Sequence, residues 1–278
     1  MSAPRIYQAT VPIDAHERLA RDTGRIRVLF PEIAQAIRPG QFVMVRLPGG
    51  SDPLLGRPFA LYDTVLDGEV PIGFDFVYLA VGKMTRRLLH MEPGDYLTIW
   101  GPLGNGFASL DGVNHVGLVA GGIGQTPFLA YIRYLLGTRG YGGQPARRTV
   151  QRVSLFYGVR TAALAAAVDD FRAAGAEVHL ASDDGSLGER GYVTQLLERV
   201  GLPDYVVGCG PEPMLHALYR LTSQHGTPCQ VSLETPMACG VGICFSCVVK
   251  LRQDDGNWDY KRCCVEGPIF DAAKLLWE

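Results

Sequence analysis

Seven cysteines stand at positions 209, 229, 239, 244, 247, 263 and 264. The run Cys239-Gly240-Val241-Gly242-Ile243-Cys244-Phe245-Ser246-Cys247 has the spacing C-x4-C-x2-C, and a fourth thiol is on offer at Cys263 or Cys264. That is the spacing of plant-type [2Fe–2S] ferredoxins, in which thiolates supply the tetrahedral sulfur that each iron takes. Gly240 and Gly242 let backbone N–H groups turn toward the cluster sulfides and stabilise their charge. Two rival chemistries stand beside it. A structural zinc site shows paired C-x2-C units, and only one such pair is present. A set of buried free thiols needs no metal at all. An odd, clustered count is poor material for a disulfide framework, and in a reducing compartment it points to metal or redox chemistry.

A second group of residues has the pattern of an anion site. Val113 to Ala120 is an apolar run and is followed by Gly121-Gly122-Ile123-Gly124-Gln125-Thr126-Pro127, the order strand, glycine turn, helix start. Amides at such a helix start can face a pyrophosphate. The segment lacks the G-x-G-x-x-G fingerprint, and a tight turn with no ligand reads equally well. Asp183 and Cys209-Gly210-Pro211 follow two further expected strands, and loops after parallel strands gather where ligands bind. Cys209 there reads either as a thiol beside a planar ring or as a small buried hydrophobe. In the first third, Arg57-Pro58-Phe59-Ala60, Val77-Tyr78-Leu79 and Gly82-Lys83-Met84-Thr85 recur between strand-like segments. Arg57 alone reads as a surface cation.

The elements that must carry these residues change character twice. Residues 1–111 hold short strand-like segments at 25–30, 41–47, 74–81 and 96–100, separated by Pro-Gly turn signals, which predicts a small antiparallel barrel. Residues 112–228 alternate strand and helix, with strands at 113–120, 153–157, 177–181 and 205–207. Helices are expected at 127–136, 162–174, 192–200 and 212–225, which predicts a parallel α/β domain. Residues 229–278 are rich in Cys and Gly, with little room for a core of their own, and read as a small cluster-bearing domain.

The chain has 278 residues, 47% hydrophobic and 19% charged, with a formal net charge of -2. That excludes a nucleic-acid binder relying on bulk positive charge. No apolar run approaches the roughly 18 residues of a membrane span. The start Met1-Ser2-Ala3-Pro4-Arg5 shows no apolar leader, so a soluble cytoplasmic protein is expected.

Taken together, these residues resemble the ferredoxin–NADP reductase superfamily, and within it the electron-transfer subunits of class B dihydroorotate dehydrogenases. The resemblance covers nearly the whole chain. Its most specific part is Ser232-Leu233-Glu234 through Cys247, then Cys264-Val265-Glu266-Gly267-Pro268-Ile269-Phe270, against the family's S-L-E-x-x-M-x-C-G-x-G-x-C-x-x-C and C-x-x-G-P-V-F. It implies Cys239, Cys244, Cys247 and Cys264 as ligands of a [2Fe–2S] cluster. It implies FAD on Arg57, Pro58, Phe59 and Ala60 (the R-P-x-S motif), on Val77, Tyr78 and Leu79, and on Gly82, Met84 and Thr85. NAD(H) is then met by Gly121, Gly122, Ile123, Gly124, Thr126, Asp183, Gly210 and Pro211, with Cys209 catalytic. Two positions depart from the pattern: Ala60 stands for the family's Ser or Thr, and Met84 for its Gly. The implied partner is an FMN-containing dihydroorotate dehydrogenase catalytic subunit, two of each forming a heterotetramer in UMP synthesis. Flavin joins the one-electron cluster to the two-electron nicotinamide. An NAD(P)H:ferredoxin oxidoreductase or a sulfide dehydrogenase or hydrogenase diaphorase subunit uses the same modules. A non-catalytic metal-binding module is the distant alternative.

Overall fold

The computed structural model describes residues 5–50 and 52–277; the start at residues 1–4, read above as lacking a leader, lies outside them. The first sheet is built from β1 (Tyr7–Ala20), β2 (Thr23–Val28), β3 (Phe42–Arg46), β4 (Arg57–Ala60), β5 (Asp63–Asp67), β6 (Val70–Leu79) and β7 (Tyr96–Leu103), with α1 (Pro31–Ala36) and α2 (Lys83–Leu88) between strands. Its order is β4-β3-β7-β1-β2-β6-β5, antiparallel throughout. Val43, Val45, Phe59, Phe74, Phe76 and Ile99 fill the space it encloses. Alternation decides which side chains go in: Val43 and Val45 point to this core, while Met44 points out.

The second sheet comprises β8 (His115–Gly121), β9 (Arg152–Val159), β10 (Glu177–Ser182), β11 (Glu189–Arg190), β12 (Tyr205–Cys209), β13 (Cys229–Ser232) and, after the hairpin β14 (Val248–Arg252) and β15 (Trp258–Arg262), β16 (Ile269–Asp271). The order β11-β10-β9-β8-β12-β13-β16 is parallel up to β13. The helices are α3 (Phe128–Leu135), α4 (Val168–Ala173), α5 (Val193–Val200) and α6 (Glu212–Gln224). α5 shows why such a segment is helical. Val193, Leu196 and Leu197 recur at helical spacing and are buried, Gln195 accepts the Tyr192 N–H at its start, and Gly201 ends it at φ 106.

One expectation is corrected. The helix expected over 162–174 is broken: Ala162–Leu164 is a single 3-10 turn, Ala167 is left-handed at φ 56, and only 168–173 is α-helical. Alanine content alone does not hold the helix through Ala165 and Ala167, where the backbone turns extended and then left-handed. β13 pairs in parallel with β12 within the second sheet. β16 pairs antiparallel with β13, so the cysteine segment is an excursion leaving this sheet at Ser232 and returning at Ile269.

The two sheets meet at a polar seam. Asp63 of β5, 6% exposed, accepts from Arg133, from Arg139 at 2.8 Å and from Tyr141 at 2.7 Å, all from the α3 region. Tyr62 donates to Asp170 of α4 at 2.7 Å, and the Ala130 N–H donates to the Tyr62 carbonyl. Burial holds the Asp63 carboxyl above its ordinary value despite the two guanidiniums.

Candidate functional site

The chemistry-bearing residues gather at three connected places. The sheet order reverses between β8 and β12, the topological switch point of an open α/β sheet. There the turn after β8 and the turn after β12 touch backbone to backbone. A Cβ on Gly124 would collide with the Cys209 carbonyl, one on Gly210 would lie 3.0 Å from Gly121, and one on Gly121 would meet Met214 Sδ at 2.6 Å. Only glycine allows that approach. Gly121–Gly124, Cys209, Gly210 and Pro211 are therefore brought together. Thr126 is buried beside them, and Asp183 is exposed after β10 with its N–H on the Val159 carbonyl. Burial pushes the Cys209 thiol up to about 12, with the nearby Glu234 carboxylate adding to the effect. Cys209 is thus a neutral thiol at physiological pH, suited to contact rather than nucleophilic attack.

On the barrel, Arg57 is exposed and hydrogen-bonds only the carbonyls of Leu55 and Gly56; no carboxylate is paired with it among the described residues. Its charge is free for a phosphate. A Cβ on Gly82 meets open space, and the Thr85 hydroxyl accepts the Val81 and Gly82 N–H groups at 3.1 and 3.0 Å, shaping the entry to α2. Pro58 and Ala60 are half-buried, and Leu79 ends β6. Four residues expected at the cofactor turn their side chains elsewhere. Phe59 stacks on Phe76 at 5.0 Å inside the barrel, and Tyr78 is buried with its hydroxyl on His16 at 2.8 Å. Met84 joins the barrel core, and Val77 is buried at the seam. Strand pleating and the inward face of α2 dictate this, so only their backbone can line a ligand.

The four expected ligands fall into two neighbouring pairs. Cys239 acts on the Cys244 thiol and Cys247 on the Cys264 thiol, with the charge of Cys239 also felt at Cys264. A two-iron cluster takes two thiolates per iron, which the two pairs suit. Cys263 turns the other way: it is fully buried, and burial pushes its thiol up to about 11. Hydrogen bonds from Ser246, then from Cys239, draw the exposed Cys244 thiol down to about 6. Ser246 was not anticipated; a hydroxyl inside the C-x2-C spacer, 3.1 Å from Cys244 Sγ, was the available signal. The loop is pinned by Arg262, which donates to the Gly242 carbonyl at 3.1 Å and lies 5.3 Å over the Phe245 ring.

Residues 234–276 match the iron–sulfur cluster binding domain of dihydroorotate dehydrogenase B, and residues 10–107 match the oxidoreductase FAD-binding domain. A dihydroorotate dehydrogenase B (NAD(+)) electron transfer subunit from Caldanaerobacter subterraneus subsp. tengcongensis is 36% identical over 86% of this chain and 87% of its own. The chain belongs to the family of dihydroorotate dehydrogenase B electron transfer subunits. The Bacillus caldolyticus member is 36% identical over 94% of this chain and 96% of its own. The family's FAD-binding domain is the barrel, and its cluster-binding domain is the excursion between β13 and β16 with the residues that follow. A solved structure of an NADH-dependent reduced ferredoxin-NADP oxidoreductase superposes with a TM-score of 0.79 at 27% identity, over 97% of this chain and 90% of that one. The cytochrome b5 reductase domain of Ulva prolifera nitrate reductase shares the fold, with a TM-score of 0.62 at 19% identity over 79% of this chain and 93% of that one.

Proposed function

We propose that this chain carries electrons between NAD and an FMN-containing dihydroorotate dehydrogenase catalytic subunit, in the synthesis of UMP. FAD, when bound, exchanges hydride with nicotinamide and single electrons with the cluster. The chain's own residues do the positioning. Arg57 with the Gly82–Thr85 entry holds the flavin pyrophosphate, the β8 and β12 turns hold the nicotinamide nucleotide, and neutral Cys209 packs beside the reacting ring. Cys239, Cys244, Cys247 and Cys264 hold the cluster. The functional parts are 1–111, 112–228 and 229–278, with β13 and β16 serving both of the last two.

One observation carries the partner. Cys247 and Cys264 are buried, while Cys244 is exposed between Ile243, 79% exposed, and Phe245, 60% exposed. A cluster with one ligand at an apolar surface is placed to pass electrons out of the chain. Ile269 and Phe270 are buried in β16 and lie outside that patch; Val265, Trp258 and Tyr260 are exposed nearby in sequence. Among the described residues no helix is long and apolar enough to cross a membrane, and the cysteines, Cys209 to Cys264, are all free thiols, which suits a reducing cytoplasm. The pair assembles two by two.

The test is reconstitution. The isolated chain oxidises NADH with artificial acceptors and leaves dihydroorotate untouched; adding the FMN subunit gives dihydroorotate-dependent NAD reduction, and light scattering gives the mass of two of each. No coupled turnover from the reconstituted pair defeats the reading. The likeness to the ferredoxin-NADP oxidoreductase favours one alternative, ferredoxin as acceptor; ferredoxin reduction exceeding dihydroorotate turnover selects it.

A further inference from the structure

We propose that Trp100 is a positioning residue for electron transfer: it ties the loop bearing the first cluster ligand to the strand row bearing the flavin motif. This rests on the relay reading above. Pro58, Met44 and Trp100 are Cα partners in one row across β4, β3 and β7. Residues opposite one another in a sheet share a face. On this face Met44 and Phe42 belong to one buried cluster with Cys247, Cys263, Cys264 and Met237, and Trp100 and Val241 pack against it. The outer side of the flavin-motif strands is therefore the bed of the cysteine loop.

Trp100 touches both ends of that bed. Its indole N–H donates to the Cys239 carbonyl at 3.0 Å, across 139 positions of sequence. Its far ring edge lies against Gly56, the residue before Arg57: a Cβ there would sit 2.6 Å from Trp100 Cη2. Met44 runs alongside, 3.4 Å from that same Cβ position and 2.5 Å from a Cβ placed on Gly240, whose φ is +73. Both loops carry glycine where they close on these two side chains. Two packed side chains thus span the distance from the flavin motif to the first cluster ligand. The hydrogen bond also acts electrically. Its acceptor shares a peptide unit with the Gly240 N–H, so donation to the carbonyl strengthens that N–H as a donor. Hydrogen bonds around cluster sulfurs raise the reduction potential, since they stabilise the more negative reduced state.

The experiment uses the full chain loaded with both cofactors and the substitution Trp100→Phe, which keeps a ring and removes the donor. Expected are a more negative midpoint potential, an altered electron paramagnetic resonance signal of the reduced cluster, and bleaching by an iron chelator faster by about fivefold, the factor one ordinary hydrogen bond is worth. Flavin reduction by NADH keeps its wild-type rate, while the reduction of the cluster that follows is slower. Unchanged potential, signal and cluster-reduction rate overturn the inference. Should phenylalanine not be accepted, benzothienylalanine placed at position 100, with sulfur for the indole N–H, removes the donor without changing shape and is read the same way. A wild-type cluster that NADH never reduces would defeat the relay reading, while the potential and chelator measurements would still judge Trp100.

Discussion

Replacing sulfur by oxygen at Cys263 and at Cys264 separates the roles of two adjacent thiols. Cys263 is fully buried, with the unpartnered Thr235 hydroxyl also buried, and burial pushes its thiol up to about 11. Serine is close in size, so Cys263→Ser opens no cavity; its cost is the burial of a hydroxyl. Without a partner that costs roughly 1–3 kcal/mol. In a chain of this size each kcal/mol lowers Tm by about 2–4 °C. Cys264 differs because its thiol meets Cys247 and feels the charge of Cys239. Cys264→Ser puts a harder oxygen where iron takes thiolate, and one iron loses half of its protein ligands. The chain then also loses the stabilisation that a bound cluster confers on the folded state. Iron and acid-labile sulfide per chain, the visible spectrum and thermal unfolding are the measurements. Cys263→Ser keeps its full iron and melts a few degrees lower; Cys264→Ser loses iron and its cluster bands. The reverse outcome makes Cys263 the ligand, and full iron in both variants removes this segment from the site.

Arg57→Ala, which takes away a guanidinium with no protein counter-charge, lowers flavin content far more than cluster content; flavin released by heat and separated by chromatography is FAD, and FMN alone contradicts the pyrophosphate assignment. Cys209→Ala slows flavin reduction by NADH in stopped flow and leaves the cluster spectrum intact. Because burial lifts that thiol to about 12, above its ordinary value, its folded form stays protonated from pH 6 to 9. Stability linked to it is lost only as pH rises past the ordinary thiol range, so a wild-type stability loss assignable to Cys209 below pH 8 counts against the assignment. Asp63→Ala leaves two guanidiniums, 26% and 22% exposed, and the Tyr141 hydroxyl without their acceptor. Water reaches the guanidiniums, and the lost carboxylate was itself costly to bury, so the expected loss is about 1–3 kcal/mol in denaturant unfolding. An unchanged midpoint shows that the seam contributes nothing.

Short-range patterns were legible in the sequence. The C-x4-C-x2-C run, the glycine turn after β8 and the strand–helix alternation from 113 to 225 each lie within a few residues, and each is an element or a loop in the structure. Residues that act across the fold were not legible. Trp100 reads as an ordinary strand aromatic until β7 is laid beside β3 and the cysteine loop on both, and Asp63 reads as a turn residue until α3 delivers Arg133 and Arg139. β1 went unread for a different reason: Tyr7, Ala9, Val11 and Ile13 alternate inward with exposed Gln8, Thr10, Pro12 and Asp14, but Ala9 and Pro12 are weak strand formers and the alternation fades after Asp14. The expectation for Phe59, Tyr78 and Met84 came from a motif, and a motif names positions without saying which way a pleated strand turns each side chain.

The return of the chain through β16 also ties cluster binding to the second sheet. β16 pairs with β13, so both ends of the segment that carries the expected ligands are held side by side. The segment is a closed loop of fixed span, and its closure entropy is already spent before any cluster binds. Loosening the far end at Ile269–Asp271 would return that freedom to the segment, so a substitution that weakens the edge strand weakens cluster retention without touching a thiol.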